Sequence, residues 1–226
     1  MKEINCILCQ DKSPAACTLN KEDLKVLGNN CIEVTYKKGD TIFMQGTLSS
    51  SIVYMKKGLA KIHMHGPSKE KILRLAKAPA YLGIPTTFGD KINRYSASAL
   101  EETIVCFIDT ETFKNFIFNN GSFAYEIILD LCMNELDDNQ RYVDLFQKQI
   151  PGRLATTLLC MANKIFMKDK FDLPLSRSEL GDLVGTSRES ICRLLNEFHD
   201  EKIIEINKKE ISILKENLLE EISEKG

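Results

Sequence analysis

The sequence predicts an α+β chain: an all-β front half, one long helix, and a back half of short helices closed by two strands. Three patterns carry this. Residues 21–115 run in short apolar alternations punctuated by glycine, residues 129–150 repeat apolar side chains at spacings of 3 and 4, and residues 176–198, SRSELGDLVGTSRESICRLLNEF, read as two short helices across a glycine. Alternation by two marks a half-buried strand, and recurrence near 3.6 marks a helix. The expected division is an arm at 1–20, a β domain at 21–120, a helix at 121–150 and a C-terminal domain at 151–226.

The arm carries three thiols as Cys6-x2-Cys9-x7-Cys17. In the β domain, Ile32, Val34 and Tyr36 alternate before the turn at 37–40, and Gly46, Gly58 and Gly83 mark later turns. Ile62 and Met64, then Ile72, Leu73 and Leu75, suggest paired strands around residues 66–71. Many short strands at this spacing predict a small antiparallel barrel or sandwich. Leu129, Cys132, Leu136, Asn139, Val143, Phe146 and Ile150 then form a heptad seam with one polar position. Such a seam serves either a parallel dimer or packing against the helix's own domain. Asp137 and Asp138 beside it either stay solvated or weaken pairing by meeting like charges. Pro151 and Gly152 are expected to break the helix and act as a hinge.

At 176–198, Ser176 with Glu179 and Thr186 with Glu189 fit two capping boxes, with Gly185 in the connection. Leu180, Leu183 and Val184 form the apolar side of the first helix, and Ile191, Leu194, Leu195 and Phe198 that of the second. The opposite face of the second helix shows Arg188, Glu189, Cys192, Arg193 and Asn196. A helix fits the major groove of DNA, where arginine can give guanine two hydrogen bonds and glutamate can accept one from cytosine. Arg188, Glu189 and Arg193 are therefore candidate base readers, with Ser187 and Thr186 reaching phosphate or capping the helix. The plain alternative is a solvated surface helix. Strands at 203–206 and 211–214 follow, around a polar turn.

Composition sets bounds. The 226 residues are 43% hydrophobic and 27% charged with a net charge of −2, so DNA contact must come from a local patch. Arg153, Arg177, Arg188, Arg193, Lys208 and Lys209 are its candidates. No apolar run approaches a membrane span, and MKEINCILCQ lacks the apolar core of a secretory signal. The expectation is a cytoplasmic protein without a stable disulfide framework.

SRESICRLL resembles the recognition helix of the Crp/Fnr superfamily of bacterial transcription regulators. PGRLATTLLCMANK resembles the first helix of their DNA-binding domain, and EKIIEINKKEISIL resembles their wing; the resemblance runs from about residue 20 to 214. It implies a cyclic-nucleotide-binding-type β jelly roll, a long dimerisation helix and a winged helix-turn-helix. It also implies a homodimer on near-palindromic double-stranded DNA, with RNA polymerase as a further partner. Arg188, Glu189 and Arg193 match the family's cyclic-AMP receptor pattern, which implies a TGA-containing half-site. Cys192 stands where the Fnr branch has serine, which leaves the outer bases open.

The signal is less defined. Gly83 and Arg94 fit the spacing of the family's phosphate-binding cassette, but Ile84 replaces its ribose-binding glutamate and Tyr95 its small hydroxyl residue. An unpaired buried hydroxyl costs about 1–3 kcal/mol, so cyclic AMP is not the expected ligand, and Arg94 reads as a surface arginine. CILCQDKSPAACTLNKEDL and ALEETIVC resemble the segments bearing the Fnr branch's cluster ligands. That implies a [4Fe–4S] cluster on Cys6, Cys9, Cys17 and Cys106. Lys12 stands where that branch has an arm cysteine, and the last spacing is longer. Zinc on the same thiols, or free and redox-paired thiols, are the alternatives. Cys31, Cys132, Cys160 and Cys192 read as small hydrophobes or helix residues. His63 and His65 on one strand could bind haem, which some superfamily members carry, or simply be exposed. A small organic effector in the β domain is a further reading. A thiol-redox enzyme using Cys6 and Cys9 would need a strand–helix setting that the sequence does not show.

Overall fold

A computed structural model describes residues 5–226, so the first four residues of the arm lie outside it. The chain divides into two compact units, the second running from Leu136 to Gly226.

The first unit opens with two helices, α1 (Pro14–Cys17) and α2 (Lys21–Asn29). The second was expected to be extended. Asn20 caps it by accepting from the Asp23 N–H, and Glu22 and Asp23 fill its first turn, an arrangement that favours a helix start. Eight strands follow: β1 (Cys31–Tyr36), β2 (Thr41–Phe43), β3 (Ser51–Lys57), β4 (Leu59–His65), β5 (Glu70–Lys77), β6 (Ala80–Leu82), β7 (Ser96–Ala99) and β8 (Thr103–Asp109), with α3 (Ile84–Gly89) between β6 and β7. They form two antiparallel four-stranded sheets, ordered β1-β8-β3-β6 and β2-β7-β4-β5. The expected sandwich is present, and β4 and β5 pair around the turn foreseen there.

The β1-β8-β3-β6 sheet is clad on both faces. Val53, Met55, Leu82 and Val105 turn inward to meet Ile42, Ala60, Ile62 and Ala97 of the facing sheet. Ile52, Tyr54, Tyr81, Cys106 and Ile108 turn outward and are covered by Ala15, Ala16, Leu24 and Leu27, and by Phe113, Phe116, Phe123 and Ile127. The last four belong to α4 (Thr110–Asn119) and to the start of α5 (Gly121–Gln147). Burial on both faces explains why β3 and β8 read as nearly continuous apolar runs.

α5 ends at Gln147, so Ile150 is not on the seam; it opens α6 (Ile150–Cys160) after a break at 148–149. Leu129, Cys132, Leu136, Asn139, Val143 and Phe146 are all exposed, Phe146 by 73%. Pro151 sits in the first turn of α6, where its missing N–H costs nothing. Gly152 lies within α6, past the break and not at it; it is buried, and a Cβ there would lie 2.7 Å from the carbonyl carbon of Gly226.

The second unit continues with β9 (Lys170–Asp172), α7 (Arg177–Val184), α8 (Arg188–Asp200), β10 (Ile204–Asn207), β11 (Glu210–Ile213) and α9 (Glu216–Lys225). Its three strands form one antiparallel sheet, ordered β10-β11-β9. Leu154, Leu158, Leu180, Ile191, Leu195, Ile203, Ile211 and Leu219 are buried in it. Among the described residues no helix is long and apolar enough to cross a membrane.

The β3–β4 turn depends on Gly58. Its φ is +102°, and a Cβ would stand 2.4 Å from the Thr103 hydroxyl and 2.7 Å from Thr103 Cα. Gly58→Ala is expected to destabilise the protein by about 1–3 kcal/mol, read as a lower urea midpoint at unchanged slope.

Candidate functional site

The helix pair of the second unit is built from caps outward. Ser176 accepts from the Glu179 N–H while the Glu179 carboxylate accepts from the Ser176 N–H, completing the expected capping box of α7. Gly185 ends that helix with φ +80°. The N–H groups of Gly185 and Thr186 both donate to the Gly181 carbonyl, at 2.8 and 2.9 Å. Gly181 must be small, since a Cβ there would meet the Thr186 oxygen at 3.0 Å.

The second cap differs from expectation. Ser187, not Thr186, caps α8, its hydroxyl accepting from the Ser190 N–H at 3.1 Å. Glu189 is then free of a reciprocal box and stands exposed in the first turn. Its own backbone N–H, then the Ser187 hydroxyl, hold its carboxyl below the usual range. Ile191, Leu194, Leu195 and Phe198 are buried, and Arg188, Glu189, Arg193 and Asn196 are exposed on the other side. Arg193 has only a loose ion pair, Nε to Glu197 Oε1 at 3.8 Å. Little must be broken to turn it toward another partner.

Of the candidate cations, one is spent elsewhere. Arg153 donates from Nε to the Val184 carbonyl at 2.8 Å and from Nη1 to the Lys148 carbonyl at 2.9 Å, so it ties off the end of α7 instead of facing DNA. Arg177 is half-buried near Cys192, and its Nη1 is buried without a hydrogen-bond partner. Lys208 and Lys209 stand exposed at the β10–β11 turn, with Lys208 at φ +58°.

In the first unit, sheet register gathers the thiols. Glu33 on β1 opposes Cys106 on β8, which opposes Tyr54 on β3, which opposes Tyr81 on β6. Cys31 lies two residues before Glu33 and so shares that face. The arm crosses above this row. The Tyr54 hydroxyl donates to the Asp11 carbonyl at 2.9 Å, and the Ser13 and Tyr81 hydroxyls share a buried hydrogen bond of 2.7 Å. Lys12 clasps the Cys6–Cys9 turn, its ammonium donating to the carbonyls of Ile7 and Cys9 at 3.1 and 2.5 Å. The lysine in place of an expected cysteine thus shapes the turn that presents two others.

Cys6, Cys9, Cys31 and Cys106 line one small cavity of about 40 Å³, with Lys12 and Lys56 in its wall. The neighbouring thiols of Cys106 and Cys6, and then burial, push the pKa of Cys31 up. The nearby Cys31 thiol, aided by the Lys56 ammonium, lowers the pKa values of Cys6 and Cys106 against the effect of burial. Cys31 was expected to be a small hydrophobe, and the structure places it at the centre of the thiols. Cys17, expected among the ligands, is exposed at the end of α1 and does not line the cavity. Among the described residues no three His, Cys, Asp or Glu side chains converge tightly enough to hold a single metal ion. A lone zinc needs its thiolates about 2.3 Å from one point, whereas an iron–sulfur cluster spreads its thiolates over several irons. Four soft donors beside two cations suit the chemistry of the latter.

The other effector candidates do not converge. Gly83 caps α3 with φ +78°, Arg94 lies exposed and paired with Asp90, and the Tyr95 ring packs on Phe43 at 5.8 Å. Ile84 is buried in the outer core. His63 is buried, contrary to expectation, because a bulge between Ile62 and His63 breaks the alternation. Its Nε2 meets Ser98 Oγ at 2.9 Å and its Nδ1 meets Glu70 Oε2 at 3.0 Å, which leaves neither nitrogen for haem.

Residues 33–120 match the family model of the cyclic nucleotide-binding domain, and residues 152–222 match that of the Crp-like helix-turn-helix domain. The fumarate and nitrate reduction regulatory protein of Vibrio cholerae is 28% identical over 229 residues, covering 96% of this chain and 90% of its own. The transcriptional activator protein FnrA of Stutzerimonas stutzeri is 26% identical over 182 residues, covering 79% of this chain and 75% of its own. The structure of FixK2 from Bradyrhizobium japonicum shares the fold, with a TM-score of 0.77 at 18% identity over 85% of this chain and 96% of that one. A β-roll domain followed by a winged helix-turn-helix defines a DNA-binding transcription regulator. The chain belongs to the Crp/Fnr family of these regulators.

Ser187→Ala is expected to cost about 1 kcal/mol of stability in the free protein. Thr186→Ala should cost distinctly less by the same denaturant titration.

Proposed function

We propose that this regulator acts in the cytoplasm as a homodimer on near-palindromic, TGA-containing DNA. We further propose that a redox or gas signal controls its DNA affinity through a [4Fe–4S] cluster, and that it works with RNA polymerase. One observation carries the DNA reading: α8 buries one side and leaves Arg188, Glu189 and Arg193 exposed on the other, Arg193 held only by a loose ion pair. In this reading Glu189 accepts from cytosine, the arginines address guanine, and Ser187, Thr186, Cys192 and Arg177 flank them at the backbone. Dimerisation rests on the exposed stripe of Leu129, Cys132, Leu136, Asn139, Val143 and Phe146, since large apolar side chains in a row seldom stay uncovered. Two copies of α8 then reach successive major grooves.

Cys6, Cys9 and Cys106 are the thiols on which the sequence expectation and the cavity agree. When bound, the cluster supplies iron that reacts with oxygen or nitric oxide. The chain's own part is to hold and to release. Lys12 and Lys56 offset thiolate charge, and the hydrogen bonds of Tyr54 and Ser13 keep the arm seated. Ala15 and Ala16 of the arm share one apolar cluster with Phe123 and Ile127 of α5. Freeing the thiols loosens the arm, and with it the packing at the start of the dimer helix, a local change that biases a two-state element. A thiol-redox enzyme is not favoured, because the Cys6–Cys9 turn caps no strand–helix junction. Cyclic AMP is not favoured either, given the positions of Ile84, Arg94 and Tyr95. An open-sided cavity of about 220 Å³, lined by Ser13, Tyr54, Tyr81, Leu129 and Met133 among others, keeps a small organic effector as the second reading.

Arg193→Ala should lose about 1–3 kcal/mol of specific binding and relax preference at one base position per half-site. Equal weakening on every sequence would make Arg193 a phosphate contact. Protein purified without oxygen, or reconstituted with iron and sulfide, should be brown and absorb broadly in the visible. A colourless product would remove the cluster and favour the organic effector.

A further inference from the structure

We propose that Cys31, and not Cys17, is the fourth thiolate of the metal pocket, so that the arm gives two ligands, Cys6 and Cys9, and the sheet gives two, Cys31 and Cys106. This rests on the reading of a thiol-held cluster and deepens it. The register decides which strand residues can meet: Cys31 opposes Ile108 and Glu33 opposes Cys106, so the two thiols are diagonal neighbours on one face. All four line the same cavity.

The diagonal offset separates this contact from a disulfide. Diagonal Cα atoms in an antiparallel pair stand about 7–8 Å apart, and a disulfide needs about 4.4–6.8 Å. A soft metal centre spans the longer gap, since it accepts each sulfur separately. On coordination each thiol gives its proton to solvent and a sulfur lone pair to iron, with no change in sulfur oxidation state. Of the cavity's other charged side chains, Asp11 pairs with Lys57 at 3.5 Å, Lys56 pairs with Glu33 at 2.6 Å, and Lys12 donates to the carbonyls of Ile7 and Cys9, which leaves the four cysteines as its soft donors.

Cys17 could join only by dismantling its own helix. α1 is fixed by the Ser13 cap, by the buried Ser13–Tyr81 hydrogen bond, and by Ala15 and Ala16 at 1% and 6% exposure. Cys17 points out from the end of that turn and is exposed. Turning it inward would uncover both alanines and break both hydrogen bonds.

The test loads full-length protein with ferrous iron and sulfide without oxygen, for wild type, Cys31→Ser and Cys17→Ser. Iron and sulfide are then counted and the visible spectrum recorded. Cys31→Ser should lose the wild-type spectrum and its iron, while Cys17→Ser keeps both; far-UV circular dichroism checks folding. A second measurement needs no variant. Iodoacetamide labelling of loaded wild type, read by mass spectrometry, should spare Cys31 and modify Cys17. Loaded wild type in which Cys17 is spared and Cys31 modified, or full iron in Cys31→Ser with loss in Cys17→Ser, overturns this assignment alone. Wild type that takes up no iron overturns the cluster reading and this assignment together.

Discussion

The close backbone approach at Gly181 governs the second unit. Two N–H groups from the α7–α8 turn converge on one carbonyl, that of Gly181. A side chain there would meet the Thr186 oxygen at 3.0 Å, and the left-handed Gly185 turns the chain within one residue. Together these fix the angle at which α8 leaves α7. With that angle set, the apolar stripe from Ile191 to Phe198 goes into the core and the polar stripe has nowhere to go but out. A chain of net charge −2 can still bind a polyanion in this way, because the charge that matters is local and held on a rigid element.

The first unit depends on a comparable restriction. Its β1-β8-β3-β6 sheet packs against a second sheet on one face and against helices and the arm on the other. Every side chain of β3 and β8 is thereby assigned to one side. Cys106, Tyr54 and Tyr81 fall on the helix-clad side, where a short arm can reach them. The arm is too short to form a core of its own, and it is held by hydroxyl bonds to the two tyrosines and by the thiols beneath. Few interactions with high individual weight make a segment that can be released as a unit.

Much of this was legible in the sequence. The alternation in β1, the β4–β5 pairing, the Ser176 box, Gly185 and the apolar period of α8 are local signals, and each landed where expected. The errors share a cause. Cys31 and Cys106 are far apart along the chain, and only strand register brings them together. Thr186 and Ser187 are adjacent hydroxyls that both fit a cap, and the Gly181 carbonyl claims the Thr186 N–H. Ile150 keeps the heptad spacing across a helix break, so periodicity alone could not separate it from the seam. Arg153 reads as a free cation in the sequence, whereas four backbone carbonyls accept from it in the fold. His63 was misjudged because a single bulge inverted its face. The start of α2 at Asn20, by contrast, carried a readable cap that the β pattern around it obscured.

The central claim is that α8 reads bases from a symmetric pair of subunits. Selection from a pool of randomised duplexes, run on protein kept without oxygen and again after exposure to air, addresses it most directly. The account predicts that at least one state enriches a short motif present twice in inverted orientation, centred about one helical turn apart. A pool left without any preferred sequence in both states would contradict it.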